Sequence, residues 1–197
     1  MIKTFGDSET EKIWNGKKSS KLPPEIHKRA FSKLLIINSA ECEDDLKIPP
    51  GNKFEHLVGN LKDYCSIRIN NQWRIQFKFQ NNEPYEVQIG DYHSGDYFMD
   101  ENFELPKIGD ILMEEFLEPL EITPYRLAKD LGVSTSSILD LVHNKRKISV
   151  EMALRLSKYF GTSSKFWLNM QNELDLREIQ EKIGTDLDKI PSCKQIA

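Results

Sequence analysis

The hydrophobic residues of this 197-residue chain recur every two residues before its middle and about every 3.6 residues after it, and that change of period constrains the fold. The segment 65–79, CSIRINNQWRIQFKF, alternates apolar and polar residues on both sides of Asn70-Asn71, a pattern typical of a β-hairpin. Beyond residue 106 the apolar residues recur at helical intervals. The chain therefore has to combine a sheet-containing half with a helical half.

The first half is predicted to be a small α+β domain over residues 1–93. A helix is expected in PPEIHKRAFSKLLIINSA, which starts at two prolines, and a third strand in YEVQIGDYH. Helices followed by an antiparallel meander define this class. The alternation places one polar row on the sheet face opposite the core, where it fits a solvated surface as well as a binding surface: Arg68, Arg74, Gln76 and Lys78.

The second half is predicted to be an all-α domain of five helices over residues 106–197, after a linker at 94–105. The first helix is expected in PKIGDILMEEFLEPL. The next is expected to have Thr123 as N-cap, Pro124 at its first position and Gly132 just past its end. Three more helix starts are expected, at Ser134 or Thr135, at Ser149 and within 162–164.

Two of these short helices, joined by LGVS, fit a helix-turn-helix, whose second helix lies in the DNA major groove. Small polar residues at the start of that helix, Thr135, Ser136 and Ser137, are candidates for contacts with base edges. The alternative role is N-capping, which we expect at least one of the three to perform. A basic cluster after the helix suits DNA phosphates, or a solvated helix end: His143, Lys145, Arg146 and Lys147.

Composition limits the remaining possibilities. The net charge of −4 argues against a nucleic-acid binder that works by total charge, so contacts with nucleic acid are expected from local patches. No apolar run reaches the ~18 residues of a membrane helix, and the polar N-terminus does not resemble a signal peptide, so we expect a cytoplasmic protein without membrane contact. Cys42, Cys65 and Cys193 are expected to be free thiols, with no metal site and no cofactor.

The stretch EEFLEPLEITPYRLAKDLGVSTSSILDLVHNKRKISVEMALRLSKYFGTSSKFWLNMQNELDL resembles the HigA antitoxins, helix-turn-helix proteins of the Xre type. The resemblance covers roughly residues 106–180. It implies an operator-binding homodimer that regulates transcription of its own toxin operon.

Residues 1–93 in turn resemble the HigB toxins of the RelE superfamily, through IKTF, the helices, HLVGNLKDYCSIRINNQWRIQFKF and a terminal DYH. That resemblance implies an endoribonuclease that cuts mRNA on the ribosome. Toxin precedes antitoxin here, as in the family's gene order, so the chain is interpreted as both proteins in one polypeptide.

Metal-independent RNA cleavage uses the 2′-OH as nucleophile and needs a base, an acid and cations for the phosphate. The family resemblance assigns catalysis to four residues: His56, Asp91, Tyr92 and His93. It also places a phosphate-side arginine at Arg74, beside Arg68 on the polar face. The family's LKG lysine is missing at its usual spacing, and Lys62 is the candidate to replace it.

Two hypotheses of different classes follow. In the first, the toxin domain is a nuclease masked by its attached antitoxin, through a contact within or between chains. In the second, the protein is a transcriptional regulator whose toxin-like domain is catalytically inert, as the missing LKG lysine suggests. The join itself is either natural or a reading of two adjacent genes as one, and residue patterns do not separate these cases.

Overall fold

The computed structural model describes residues 1–91 and 103–191, with Asp91 described through its backbone alone. Three helices belong to the first half: α1 (Ser8–Trp14), α2 (Pro24–Ser39) and α3 (Glu43–Lys47). Four strands form an antiparallel sheet in sequential order: β1 (Glu55–His56), β2 (Cys65–Arg68), β3 (Trp73–Gln80) and β4 (Glu83–Asp91). The predicted α+β class is confirmed for this half.

The N-terminal IKTF segment lies along β4. Phe5 forms an isolated parallel bridge with Val87, and the amide of Gly6 donates to the carbonyl of Val87 at 2.9 Å. The β-like character predicted for this segment is thus realised as a short parallel pairing beside β4.

The β2–β3 hairpin turns at Asn70-Asn71 as predicted. The side-chain oxygen of Asn70 accepts hydrogen bonds from the amides of Gln72 and Trp73 at 2.9 and 2.8 Å, the local bonding that favours asparagine in turns. Ile67 lies opposite Ile75 in the register, and both are fully buried. The apolar residues of the hairpin therefore face the core, as their alternation predicts.

Within residues 103–191 five helices follow, in agreement with the prediction: α4 (Ile108–Leu112), α5 (Pro124–Leu131), α6 (Thr135–Val142), α7 (Val150–Phe160) and α8 (Ser164–Leu187). A π-helical turn, Met113–Leu117, continues α4. The hydroxyls of Thr123 and Ser149 accept from amides three residues later, at 3.1 and 3.2 Å, which caps α5 and α7. Gly132 ends α5 at a φ of 65°, a left-handed conformation that favours glycine.

Helix α2 is the central layer of the molecule. Twelve of its sixteen residues are buried, including every residue from 30 to 39, and a helical segment buried on every side has to lie inside the protein. One side of α2 packs against β3 and β4, and α8 packs along it as well. The hydrophobic core consequently runs without interruption from the sheet through α2 into the helical half, where Phe116, Phe166 and Trp167 are fully buried.

Polar contacts also join the two halves. The buried Asp45 carboxylate of α3 accepts from the Ser163 amide at 2.6 Å and from the Ser163 hydroxyl at 2.7 Å, at the start of α8. Further along α8, Arg177 donates to the Trp14 carbonyl at 2.6 Å and places its guanidinium 4.2 Å from the centre of the Trp14 ring. Hydrogen bonds thus join the halves at two places along α8, and the second adds a cation–π contact.

None of the helices described is long and apolar enough to cross a lipid bilayer.

Candidate active site and nucleic-acid interface

The register of the sheet brings Arg68, Arg74 and the end of β4 into one row. Arg68 pairs with Arg74, and Arg74 pairs with Gly90. Directly opposite residues in antiparallel strands share a face, so both arginine side chains start from the same side of the sheet. The next pair along, Trp73 with Asp91, places the backbone of Asp91 at the same end. The Asp91 side chain, Tyr92 and His93 lie outside the described residues, so their predicted catalytic roles stay predictions.

Arg74 is extensively bonded within the protein. Its Nε donates to the Ser66 hydroxyl at 2.8 Å, and its Nη2 donates to the Lys53 carbonyl at 2.7 Å. The same Nη2 lies 3.0 Å from a carboxylate oxygen of Glu55, and the side chain is 18% exposed. Arg74 therefore has little donor capacity left for a substrate phosphate unless these partners release it.

Arg68 is half-buried beside the hairpin turn. Its Nε donates to the Asn70 carbonyl at 3.0 Å, and its Nη2 contacts the Asn71 side chain. Arg68 also lines a cavity of 310 Å³ at the boundary of the two halves. Lys62, the candidate replacement for the family's lysine, is exposed just after the short 3-10 turn Gly59–Leu61. Lys62 thus lies in the loop between β1 and β2, away from the arginine row.

His56 makes two polar contacts on β1. Its Nε2 lies 3.3 Å from a Glu43 carboxylate oxygen, and its Nδ1 lies 3.3 Å from the Cys65 sulfur. The ligand atoms of the three residues lie within 4.8 Å of one another, a spacing that could hold a metal ion. Because the two ring nitrogens face different partners, one ion cannot use both contacts. Burial raises the pKa of the Cys65 thiol to about 11, which disfavours the thiolate that metals and electrophiles need.

The sheet register separates His56 from the end of β4. His56 pairs with Cys65 and Cys65 with Phe77, whereas Asp91 pairs with Trp73, four residues further along β3. Strands are spaced about 4.8 Å apart, so the three intervals from β1 to β4 alone span roughly 14 Å. The described backbone brings Arg68 and Arg74 to the end of β4 but leaves His56 at the opposite edge.

The helix-turn-helix is formed by α5, a turn at Gly132 and α6. Ser134 is the N-cap of α6, since its hydroxyl accepts from the Ser137 amide at 3.3 Å. The expectation that Thr135, Ser136 or Ser137 caps this helix is wrong, because the residue immediately before them already fills the position. The Ser134 hydroxyl also lies 3.1 and 2.8 Å from the hydroxyls of Ser136 and Ser137. Ser136 is exposed, and Thr135 and Ser137 are half-buried.

The basic cluster after α6 is held by a tight turn. The amides of Lys145 and Arg146 both donate to the Asp140 carbonyl, at 2.8 and 3.1 Å. The side chains of His143, Lys145 and Arg146 are exposed. Lys147 differs, because its ammonium forms an ion pair of 2.9 Å with Asp175 of α8. All four predicted members are therefore exposed beside α6, and Lys147 is in addition engaged by Asp175.

An ion pair at the junction of the two halves was not anticipated. Lys33 of α2 and Glu115 of the π-helical turn are both 0% exposed, and the Lys33 ammonium donates to a Glu115 carboxylate oxygen. Lysine and glutamate are almost never fully buried unless they are paired. The sequence contains a hint of each buried charge, since Lys33 interrupts the apolar run FSKLLII and Glu115 precedes the buried Phe116. The pairing itself joins positions 82 residues apart, which local patterns do not connect.

Two protein-family models match this sequence. The family described as the RelE-like toxin of the type II toxin-antitoxin system HigB matches residues 3–93. A helix-turn-helix family matches residues 113–167. The two matches divide between the sheet half and the helical half.

Individual relatives agree with this division. Toxin HigB-1 of Vibrio cholerae serotype O1 is 46% identical over 80 residues, which are 40% of this chain and 84% of the relative. The uncharacterized HTH-type transcriptional regulator YbaQ of Escherichia coli K12 is 46% identical over 77 residues, 39% of this chain and 68% of the relative. Antitoxin HigA-1 of the same Vibrio strain is 33% identical over 75 residues, 38% of this chain and 70% of the relative.

Proposed function

The chain belongs to the HigB toxin and HigA antitoxin families, joined in one polypeptide, and from that premise we propose a self-inhibited toxin. The N-terminal half is a ribosome-dependent, metal-independent mRNA endoribonuclease. The C-terminal half is an antitoxin that holds the nuclease inactive, binds operator DNA and represses its own gene. The observation that carries the masking is the buried contact of Glu115 with Lys33, which engages toxin-side cations through the antitoxin half.

The proposed cleavage takes place at the end of β4. One of His93 and Asp91 removes the proton from the 2′-OH of the RNA, and the 2′-oxygen attacks the adjacent phosphorus. The bond from phosphorus to the 5′-oxygen breaks, the other residue protonates that leaving oxygen, and a 2′,3′-cyclic phosphate and a 5′-OH result. The arginine row stabilises the charge that develops on the phosphate oxygens, and Tyr92 stacks on an exposed base. The position of Arg68 and Arg74 beside the backbone of Asp91 supports this arrangement. His56 and Lys62 act at the periphery, in contacts with the RNA strand or the ribosome.

The proposed DNA contact uses α6 and the loop that follows it. Ser136, with Thr135 and Ser137 beside it, reads base edges in the major groove, while His143, Lys145 and Arg146 contact phosphates. The exposure of Ser136 and of the three basic residues supports this role. Ser134 provides the N-cap, so the later hydroxyls are not needed for capping, although those of Ser136 and Ser137 lie within hydrogen-bond distance of the Ser134 hydroxyl.

We also propose a homodimer, because two copies of a helix-turn-helix read two half-sites one helical turn apart. An apolar stripe on the outer side of α8 supports this assembly, through four exposed residues at helical spacing: Leu176, Ile179, Ile183 and Leu187. The partners named here, the ribosome, mRNA and operator DNA, place the protein in the cytoplasm.

The tether between the two halves strengthens inhibition without new contacts. A covalent link turns binding of the antitoxin half into an intramolecular event, with an effective concentration in the millimolar range for short linkers. The hydrogen bonds between Asp45 and Ser163 and between Arg177 and Trp14 join the two halves, and the tether would favour such contacts.

A second function, a regulator with an inert toxin-like domain, is favoured by two observations. Arg74 is already bonded to Ser66, Lys53 and Glu55, and His56 lies at the sheet edge opposite β4. In this case the toxin half serves only to hold α8 and the helix-turn-helix in position.

Primer extension on mRNA from purified ribosomes distinguishes the two functions. The intact chain, residues 1–93, and residues 1–93 with His93→Ala are compared after circular dichroism has established that each fragment is folded. We expect ribosome-dependent breaks with the wild-type fragment, at least 100-fold fewer with His93→Ala, and suppression in the intact chain. A folded wild-type fragment that leaves mRNA whole favours the regulator, and full cleavage by the intact chain refutes masking.

Base reading is tested by the double substitution Ser136→Ala, Ser137→Ala. Because Ser134 keeps the helix cap, the variant should fold normally and lose preference for the operator over random DNA in gel-shift titrations. The matched control Ser134→Ala removes the cap and should cost about 1 kcal/mol of unfolding free energy. Unchanged preference in the double variant would leave those serines without a role in recognition.

A further inference from the structure

Lys33 carries a fully buried ammonium that the proposed cleavage at the end of β4 does not use. Lys33 lies in the middle of α2, is 0% exposed, and donates to the Asn52 side chain at 2.7 Å and to the Glu115 carboxylate. Burial lowers the pKa of Lys33, an effect that the neighbouring Glu115 carboxylate opposes. Of its two hydrogen-bond acceptors, only the antitoxin residue carries a negative charge.

Toxin residues surround the Glu115 carboxylate and form a cradle for it. Arg29 places its Nε 3.8 Å from Glu115 Oε1, on the same helix as Lys33. Gly51 approaches so closely that a Cβ at this position would lie 3.3 Å from Glu115 Oε2 and 3.6 Å from the Lys33 ammonium. A side chain at position 51 would crowd the carboxylate. We call Arg29, Lys33, Gly51 and Asn52 the anion cradle.

The carboxylate does not use every donor that the cradle offers. Glu115 Oε1 is buried and has no hydrogen-bond partner within residues 1–91 and 103–191, while the Arg29 guanidinium is too distant to donate to it. A carboxylate offers two oxygens in a plane, whereas a phosphate offers oxygens in a tetrahedral arrangement. A phosphate group in the cradle could therefore accept from Arg29 as well as from Lys33.

The cradle adjoins an open basic cavity. The 310 Å³ cavity at the boundary is lined by Arg29, Lys53 and Arg68 among others, with Pro119 contributed by the antitoxin half, and none of its lining residues within 1–91 and 103–191 carries a carboxylate. Its wall reaches Arg68, which begins the arginine row that ends beside β4. Arg68 therefore belongs both to the lining of this cavity and to the arginine row at the proposed cleavage end of the sheet.

We infer that the anion cradle is a phosphate-binding subsite of the toxin half, and that the Glu115 carboxylate occupies it in the intact chain in place of a phosphate of the RNA backbone. The RNA part of this inference rests on the proposed nuclease function. Without Glu115, Lys33 would be left as a buried charge without a counter-ion, a state that an incoming phosphate relieves. Antitoxin and RNA then compete for the same cations, which gives the masking a residue-level basis.

The test uses the full-length chain with Glu115→Ala, which empties the cradle, and inorganic phosphate as the probe. Thermal unfolding is followed in phosphate and in chloride at equal ionic strength. At about five times the dissociation constant, phosphate should raise the unfolding midpoint of the variant by roughly 2–4 °C beyond its effect on wild type. The same rise should disappear in the double variant Glu115→Ala, Lys33→Met.

Asp45→Ala is the matched control, because Asp45 is a second buried carboxylate between the halves whose contacts with Ser163 involve no cation. It should show only the general stabilisation by phosphate seen in wild type. If Glu115→Ala does not fold in chloride, recovery of its native circular dichroism in phosphate is the same positive result, and failure to recover overturns the inference.

Three further outcomes overturn it: an equal phosphate response in Asp45→Ala, no response in a folded Glu115→Ala variant, or a response to acetate as large as that to phosphate. Because phosphate binding is measured without cleavage, the inference and the proposed function fail separately. If the variant binds phosphate but the toxin half shows no ribosome-dependent cleavage, the anion site stands and the nuclease function is refuted. If cleavage occurs but phosphate has no effect on the variant, the nuclease function stands and the anion site is refuted.

Discussion

The two candidate nucleic-acid surfaces of this protein differ in how far their polar groups are already engaged. In the toxin half, Lys33 is buried against Glu115, and Arg74 donates to Ser66 and Lys53. In the helix-turn-helix, Lys145 and Arg146 are exposed. Under the proposed function, DNA binding would need no rearrangement of the intact chain, whereas RNA binding would require the toxin half to release internal partners. Changes at the junction should therefore affect stability, and changes beside α6 should affect binding alone.

The largest expected effect is at the buried ion pair. Lys33→Ala leaves the Glu115 charge buried without its partner, and we expect a loss of about 3–5 kcal/mol in unfolding free energy, measured by urea denaturation. The matched control is Lys28→Ala on the same helix, whose half-exposed side chain forms a 3.6 Å ion pair with Asp110 and should contribute about 0–1 kcal/mol. Equal losses in the two variants would contradict the importance assigned to burial.

A smaller effect is expected where α3 holds the start of α8. Asp45→Asn removes the charged acceptor for the Ser163 amide and hydroxyl, so the unfolding free energy should fall by about 1–3 kcal/mol. Asp44→Asn, one residue earlier with a 75% exposed side chain, should change it by less than about 0.5 kcal/mol. A loss at Asp44 that matches the loss at Asp45 would show that the contact between the halves is not its source.

His27 should make stability depend on pH. Burial lowers its pKa in the folded chain, while its Nε2 lies 3.0 Å from the Leu22 carbonyl. The unfolded chain, with a histidine pKa near 6.5, then takes up the proton first, and stability should fall as the pH drops below about 6.5. The slope should reach at most about 1.4 kcal/mol per pH unit and decrease in His27→Gln. A slope that survives in His27→Gln would assign the pH dependence to another group.

The smallest effect on stability is expected beside α6. Lys145→Ala combined with Arg146→Ala should change the unfolding free energy by less than about 0.5 kcal/mol. Each removed phosphate contact should lower the slope of log K against log salt by about 1, giving a reduction of about 2 in gel-shift titrations. Lys182→Ala, on an exposed part of α8, is the control for general charge loss. An unchanged slope would exclude the loop from the DNA contact.

Much of the fold was predictable because its signals are local. The alternation in 65–79 indicates both the hairpin and its buried face, and capping residues such as Thr123 and Ser149 mark helix starts within three residues of the amides they bind. The start of α6 shows a limit of the same kind, since Ser134 and Thr135 are adjacent and both suit the N-cap, and only the structure assigns that position to Ser134. Local chemistry identifies the elements and leaves an uncertainty of about one residue at their ends.

The candidate site was less predictable. Alternation along β2 and β3 places Arg68 and Arg74 on one face. It does not indicate that the Arg74 guanidinium donates hydrogen bonds to Ser66 and Lys53. The distance of His56 from β4 follows from the order of the strands, which residue patterns do not contain. Side-chain partners depend on which elements become neighbours, and that depends on the whole fold.

The residue pattern alone therefore determines two units, one with a sheet and one of helices, because hydrophobic period and capping are properties of neighbouring residues. Only the tertiary structure decides that α2 serves as the core of both units and that Lys33 meets Glu115 across 82 positions. The physical reason is that a buried charge is stable only beside its counter-ion. Which counter-ion it meets is settled when distant segments pack together.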